Sequence, residues 1–231
     1  MPSWWLDELA HAGDEHLDPS YVAAYERKSG FDPAADVALL RAHGLGPGTT
    51  LIDIGAGTGV FAIAAGACGA RVIAVDVSPA MTGRLRAKID ALGIDNIEVV
   101  DAGFLSYEHH GPAVDFVFTR NALHQVPDFW KAIGLHRVSG MLRSGGILRL
   151  HDLIYDFGPD EVAVNVEAWL DGAVTDPGVG YTADDLATHV RNEFGTYRWL
   201  LEPMIQRAGF KIDDCEYRRA VYASYTCHKE P

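Results

Sequence analysis

The apolar run Leu51–Ile54 is short and stops at a turn, the pattern of a strand buried on both faces that breaks into a loop. Gly55, Gly57 and Gly59 form that loop, and Val60-Phe61 opens an apolar helical stretch after it. The alternation recurs downstream. Arg71–Asp76 reads as a second strand, the run from Ile97 as a third, the run from Ala113 as a fourth, and Met141–Leu150 as a turn into a fifth, with helix-length segments between them. Strands alternating with helices predict a parallel sheet covered on both faces. Upstream, Asp18-Pro19 and Asp32-Pro33 each set a capping acid ahead of a proline, which predicts helices over 19–29 and 33–43, the second closed by Gly44. Downstream, helical spacing runs from Pro159 to about Gly172, a turn falls at Asp176-Pro177-Gly178, and a capped helix runs from Thr182 to about Phe194. A helix over 199–209 containing Pro203 and strands over 210–218 and 220–228 close the pattern.

The glycine turn carries the first chemistry. Dinucleotide sites use G-x-G-x-x-G, which leaves the helix N-terminus open to a pyrophosphate. Here the spacing is D-x-G-x-G-x-G. Position 60 is Val, and Asp53 stands two residues before the first glycine, where a carboxylate repels phosphates and suits a cationic amino-acid group. The structural alternative for Asp53 is that it only holds amides of its own loop. Asp76 ends the second strand, where α/β cofactor folds hydrogen-bond ribose hydroxyls, with a helix-capping carboxylate as its structural alternative. Asp115 begins the fourth strand, away from the ligand end of a parallel sheet, and reads as structural.

Together these segments resemble, in order, the motifs of the class I S-adenosylmethionine-dependent methyltransferases. The run Ala122-Leu123-His124-Gln125-Val126-Pro127-Asp128 is similar to the A-L-H-x-V-P-D loop of the ubiquinone and menaquinone biosynthesis members, and Ser144 replaces the usual proline of the L-x-P-G-G turn. The resemblance implies a three-layer α/β/α Rossmann-like sandwich with a seven-stranded sheet in the order 3-2-1-4-5-7-6 and strand 7 antiparallel. It implies S-adenosyl-L-methionine as cofactor, held by Asp53 and the turn Gly55, Ala56, Gly57 and Gly59. Asp76 would take both ribose hydroxyls, Val77 and Met81 would line the adenine, and Asp101 would accept its exocyclic amine. Ala102 would offer its amide to the ring beside Gly103 and Phe104, and Asn121 would border the cofactor after the fourth strand. Tyr21, Tyr25 and Lys28 share a helix face that either packs this helix on the core or covers the cleft; Tyr21 is the better candidate for orienting the methionine carboxylate.

Composition narrows the acceptor. The chain has 231 residues, 48% of them hydrophobic, enough for one ordinary domain: N-terminal helices over 1–48, a cofactor-binding core over 49–155, a helical cap insertion over 156–196 that would build the acceptor pocket, and a closing helix and two strands over 197–231. A net charge of −13, with 19 basic against 32 acidic residues, argues against a nucleic-acid acceptor, and the family resemblance implies a small organic one. Neither a leader nor a membrane span is expected, and three scattered cysteines suit reduced thiols in a cytoplasmic protein. Oligomeric state is silent.

Methyl transfer from a sulfonium is a one-step displacement that needs alignment and, for some acceptors, a base. His124 and His151, following strands four and five, are the candidate bases. With Asp152 they could sketch a metal site, but no reinforcing ligand spacing supports one, so no metal is expected. The competing readings are a nicotinamide-dependent oxidoreductase, disfavoured by the glycine register, and a non-catalytic S-adenosylmethionine-binding scaffold.

Overall fold

The computed structural model describes residues 2–231, with backbone alone for 14, 15, 23, 24, 26 and 27. In chain order its elements begin with helices Asp14–Leu17 (α1), Pro19–Ser29 (α2) and Ala34–Ala42 (α3). Asp18 Oδ1 accepts the Ser20 amide at 2.8 Å and Asp32 Oδ1 accepts the Ala34 amide at 2.9 Å, the capping bonds that start α2 and α3. The core follows as Thr50–Ile54 (β1), Val60–Gly66 (α4), Arg71–Asp76 (β2), Pro79–Leu92 (α5), Ile97–Asp101 (β3), Val114–Arg120 (β4), Asp128–Met141 (α6) and Leu142–Tyr155 (β5). The insertion supplies Val162–Asp171 (α7) and Ala183–Asn192 (α8), and the chain closes with Thr196–Tyr197 (β6), Arg198–Arg207 (α9), Phe210–Arg218 (β7) and Tyr222–Lys229 (β8).

The sheet runs β3-β2-β1-β4-β5-β8-β7, with β6 pairing β5 off this path. β8 alone runs against the direction of the other strands, so the expected order holds, with the expected strands 6 and 7 being β7 and β8. The eighth strand is the correction. β6 is two residues long and pairs Ile154 with Thr196, a contact that no short-range periodicity could announce. The turn before the fifth strand also differs from expectation: β5 already pairs at Leu142, and Arg143–Gly146 forms an irregularity before register resumes at Phe116 and Ile147.

Alternate residues of each central strand feed two cores. Ile52, Ile73, Val117 and Leu148 pack with Leu135 and Val138 of α6 and Leu201 and Ile205 of α9. Leu51, Val72, Phe116 and Ile147 pack on the other face with Phe61 of α4, Leu85 of α5 and Leu40 of α3. Each fully buried side chain of this size contributes about 1.5–3 kcal/mol, so the double-sided pattern sets strand register and helix placement together. A third cluster, built on Leu153, Trp169, Leu186 and Val221, fastens the insertion to the carboxyl end of β5.

Candidate active site

Two adjoining cavities open at the carboxyl ends of β1, β2 and β4, separated by the glycine turn. The turn is hung from its neighbour, since the Gly55 and Ala56 amides donate to the Val75 carbonyl at 2.8 and 3.1 Å. Gly55 has φ +76°, and a Cβ there would stand 2.3 Å from the Ala122 Cβ, so only glycine lets the loop after β4 close on the turn. Gly59, at φ +81°, starts α4 against Leu85, whose Cδ1 lies 2.1 Å from the Cβ position. Gly59 borders neither cavity; its role is to seat the helix.

The first cavity, about 670 Å³ to its open mouth, is lined by the predicted residues Gly55, Gly57, Asp76, Val77, Met81, Ala102, Gly103, Phe104 and Asn121. Asp76 Oδ2 accepts the Gly57 amide at 2.8 Å and Oδ1 accepts the Ser78 amide at 2.9 Å, which aims the carboxylate along the cavity wall. Burial pushes its carboxyl above the usual range despite these two bonds. Ala102 does not offer its amide as expected, because that N–H donates to the Asp76 carbonyl at 3.0 Å. Asp101 departs further. Its carboxylate is gripped by Arg86 at 3.1 Å on each oxygen and stands half-exposed outside the cavity.

The second cavity holds Asp53 and Ala56 with Gly55, Gly57, Arg120 and Asn121. Asp53 is 2% exposed and its Oδ2 has no hydrogen-bond partner; burial, followed by the charge of Asp76, drives its carboxyl well above the usual range. The Thr58 hydroxyl beside it is likewise buried and unpartnered. Across the cavity the Arg120 guanidinium stacks 4.3 Å over Phe31, with no carboxylate paired to it among the described residues, and burial lowers its affinity for its proton. Asn121 takes φ +49°, a conformation rare outside glycine that turns the chain at the cavity wall. An unpaired acid and an unpaired cation facing one space fit the ammonium and carboxylate of an α-amino acid.

Tyr25, not Tyr21, lines both cavities; it packs with His16 and Tyr21, whose ring stands back from the space. The two candidate bases are closed in by protein. His124 Nδ1 meets Asp152 Oδ1 at 2.5 Å and its Nε2 meets Glu193 Oε2 at 3.2 Å. Burial disfavours its charge, yet Asp152 and Glu193 raise its pKa overall. His151 Nε2 lies 2.7 Å from Asp36 Oδ1 and its Nδ1 2.6 Å from the Ser224 hydroxyl, and burial lowers its pKa despite the Asp36 contact. Neither ring lines a cavity. Among the described residues, no group of three His, Cys, Asp or Glu side chains could hold a metal. Asp115 accepts the Thr50 amide at 3.0 Å and pairs with Arg143, a structural role.

Glu8, His16 and Arg120 line the site without having been foreseen. Arg120 was legible in principle, as a cation at the carboxyl end of a core strand directly before Asn121. Glu8 and His16 lie in a segment whose short turns leave no periodic signal.

Residues 51–146 match the family model described as a methyltransferase domain. The glycine turn and strands β2 to β4 fall within that match, and the sheet order is that of the S-adenosylmethionine (SAM)-dependent methyltransferase fold. No curated protein matches the chain. Solved structures share its fold. A magnesium protoporphyrin IX methyltransferase from Synechocystis PCC 6803 with bound SAM superposes at TM-score 0.66 and 16% identity, over 99% of this chain and 100% of that one. A phosphoethanolamine N-methyltransferase 2 from Haemonchus contortus in complex with SAM gives 0.72 and 16%, over 100% of this chain and 62% of that one. A SAM-dependent methyltransferase from Aquifex aeolicus gives 0.60 and 20%, over 91% and 97%.

Proposed function

We propose that the protein transfers a methyl group from SAM to a small organic acceptor by direct displacement, with the cofactor spanning both cavities. The observation that carries this reading is the buried Asp53 carboxylate, left without a partner for Oδ2 beside a glycine turn and opposite the unpaired Arg120. Asp53 would hold the methionine ammonium, Arg120 its carboxylate, and Asp76 the ribose hydroxyls, while Val77, Met81 and Phe104 would pack on the adenine. When bound, SAM supplies a methyl on a cationic sulfur that leaves as a neutral thioether. The chain's own contribution is alignment and exclusion of water. Helix α2 brings Tyr25 over the junction of the cavities, and Tyr181 from the insertion walls the second one. Alignment of two bound reactants contributes up to about 7–11 kcal/mol in favourable cases, so a displacement here does not require His124 or His151 as base.

A small acceptor is supported by the two similar structures that act on a porphyrin and on phosphoethanolamine, and by the net charge of −13, which opposes a polyanion. No helix among the described residues is long and apolar enough to cross a membrane, and Cys68, Cys215 and Cys227 are free thiols, which supports a cytoplasmic setting. Titration calorimetry with S-adenosylhomocysteine tests the reading. The unaltered protein binds it and not NADH, and Asp76→Ala weakens binding roughly ten- to hundred-fold through loss of charged hydrogen bonds. Binding of NADH alone, or unchanged affinity in folded Asp76→Ala, overturns it.

A further inference from the structure

The adenine end of the first cavity contains an acid that the core does not supply. Glu8 arrives from the segment before α1 and is 8% exposed. Its Oε2 accepts the Leu105 amide at 3.0 Å, the Ser106 amide at 2.9 Å and the Ser106 hydroxyl at 2.8 Å. Those three bonds fix the carboxylate in one orientation. Oε1 then lies over Gly103, 2.5 Å from where a Cβ on that residue would stand, and Glu8 lines the cavity together with Ala102, Gly103 and Phe104. Any side chain at 103 would displace the carboxylate. The segment that carries Glu8 is itself pinned, by Trp5 packed edge-on against Trp130 at 5.1 Å and by the Ser78 hydroxyl donating to the His16 carbonyl at 2.6 Å. Asp101, the acid at the end of β3, is turned outward into its bidentate contact with Arg86.

Resting on the methyl-donor reading above, we propose that Glu8, not Asp101, receives the exocyclic amine of the adenine, so that the segment before α1 reads the purine edge. A carboxylate oxygen accepts hydrogen bonds and donates none when ionised, so it distinguishes the amine of adenine from the carbonyl oxygen of hypoxanthine at the same ring position. The geometry makes the discrimination stiff, because the three bonds to Oε2 prevent the carboxylate from swinging away from a mismatched ring.

The test compares S-adenosylhomocysteine with S-inosylhomocysteine by titration calorimetry on the unaltered protein, Glu8→Gln and Asp101→Asn. The unaltered protein prefers the adenosine compound by at least about tenfold, the scale of one charged hydrogen bond. In Glu8→Gln, which keeps an oxygen for the Leu105 and Ser106 donors, that preference falls toward unity. In Asp101→Asn it stays within about twofold of the original. Partial unfolding lowers the fitted stoichiometry and not the ratio of the two dissociation constants, so folding and recognition are read separately. A preference that survives in Glu8→Gln, or that collapses in Asp101→Asn, overturns the assignment. Failure of the unaltered protein to bind S-adenosylhomocysteine at all is a different result and overturns the methyl-donor reading beneath it.

Discussion

Replacing Asp53 by Asn should move stability and ligand affinity in opposite directions. Asp53 is fully enclosed, one of its oxygens has no partner, and burial together with the Asp76 charge raises its carboxyl well above the usual range. The folded chain therefore keeps a proton that the unfolded chain releases, and stability must fall as pH rises from the ordinary aspartate range, about 4, through the raised folded value. Asparagine keeps the shape and removes the titration. An unsatisfied buried polar group costs about 1–3 kcal/mol, part of which the amide also incurs, so a net gain of about 1 kcal/mol is expected near neutral pH. In a chain of this length that raises the melting temperature by about 2–4 °C. Ligand binding should move the other way, because the charge-assisted bond proposed between Asp53 and the methionine ammonium would contribute about 1.5–3 kcal/mol, or roughly ten- to hundred-fold in affinity. Thermal melts of the ligand-free protein from about pH 5 to about pH 8, with calorimetry against S-adenosylhomocysteine, read both quantities. A ligand-free Asp53→Asn that melts lower, or that binds as tightly as the unaltered protein, refutes the reasoning.

Two further outcomes follow from the buried histidines. Asp36 holds both Arg149 Nε at 2.9 Å and His151 Nε2 at 2.7 Å, so Asp36→Ala leaves a guanidinium enclosed without its partner and should cost about 3–5 kcal/mol in urea unfolding; a loss under about 1 kcal/mol would show that the cluster is not coupled. His124 contributes with the opposite pH sign to a carboxylate: its raised pKa makes its contribution complete below about 6.5 and lost as pH rises through the folded value, while the lowered carboxyls of Asp152 and Glu193 contribute above about 4. In an Asp53→Asn background, His124→Gln should therefore flatten the decline of melting temperature above neutral pH, and an unchanged slope would detach His124 from that titration.

The core was legible because its signals are local. Each of β1 to β4 announces itself as an apolar run, and the glycines that need positive φ sit directly after the first. Asp53 and Asp76 could be placed for the same reason, as the penultimate and last residues of their strands. Asp101 misled because position at a strand end fixes the backbone and not the rotamer: Arg86, fifteen residues earlier on α5, captures the carboxylate from outside. The histidines misled in a related way. Their places after β4 and β5 are at the ligand end of the sheet, yet Asp152, Glu193 and Asp36 come from elsewhere in the chain and enclose both rings. The two-residue β6 and the placement of Glu8 depend wholly on contacts distant in sequence.

Raised carboxyls at Glu8, Asp53 and Asp76 around one pair of cavities also bear on which ligands the site favours. Burial is the leading cause at all three, so the fold holds acids where water cannot compensate them, and a cation reaching Asp53 relieves a cost already present in the ligand-free protein. A pyrophosphate lying on the same glycine turn would add two negative charges to that enclosure, and like-charge juxtaposition costs about several kcal/mol. The glycine register and the carboxylates thus disfavour a dinucleotide by independent means, one through the shape of the turn and the other through the field of the ionised acids. A ligand carrying an ammonium, ribose hydroxyls and an adenine amine would meet Asp53, Asp76 and Glu8 in turn with a group that the ionised carboxylate attracts.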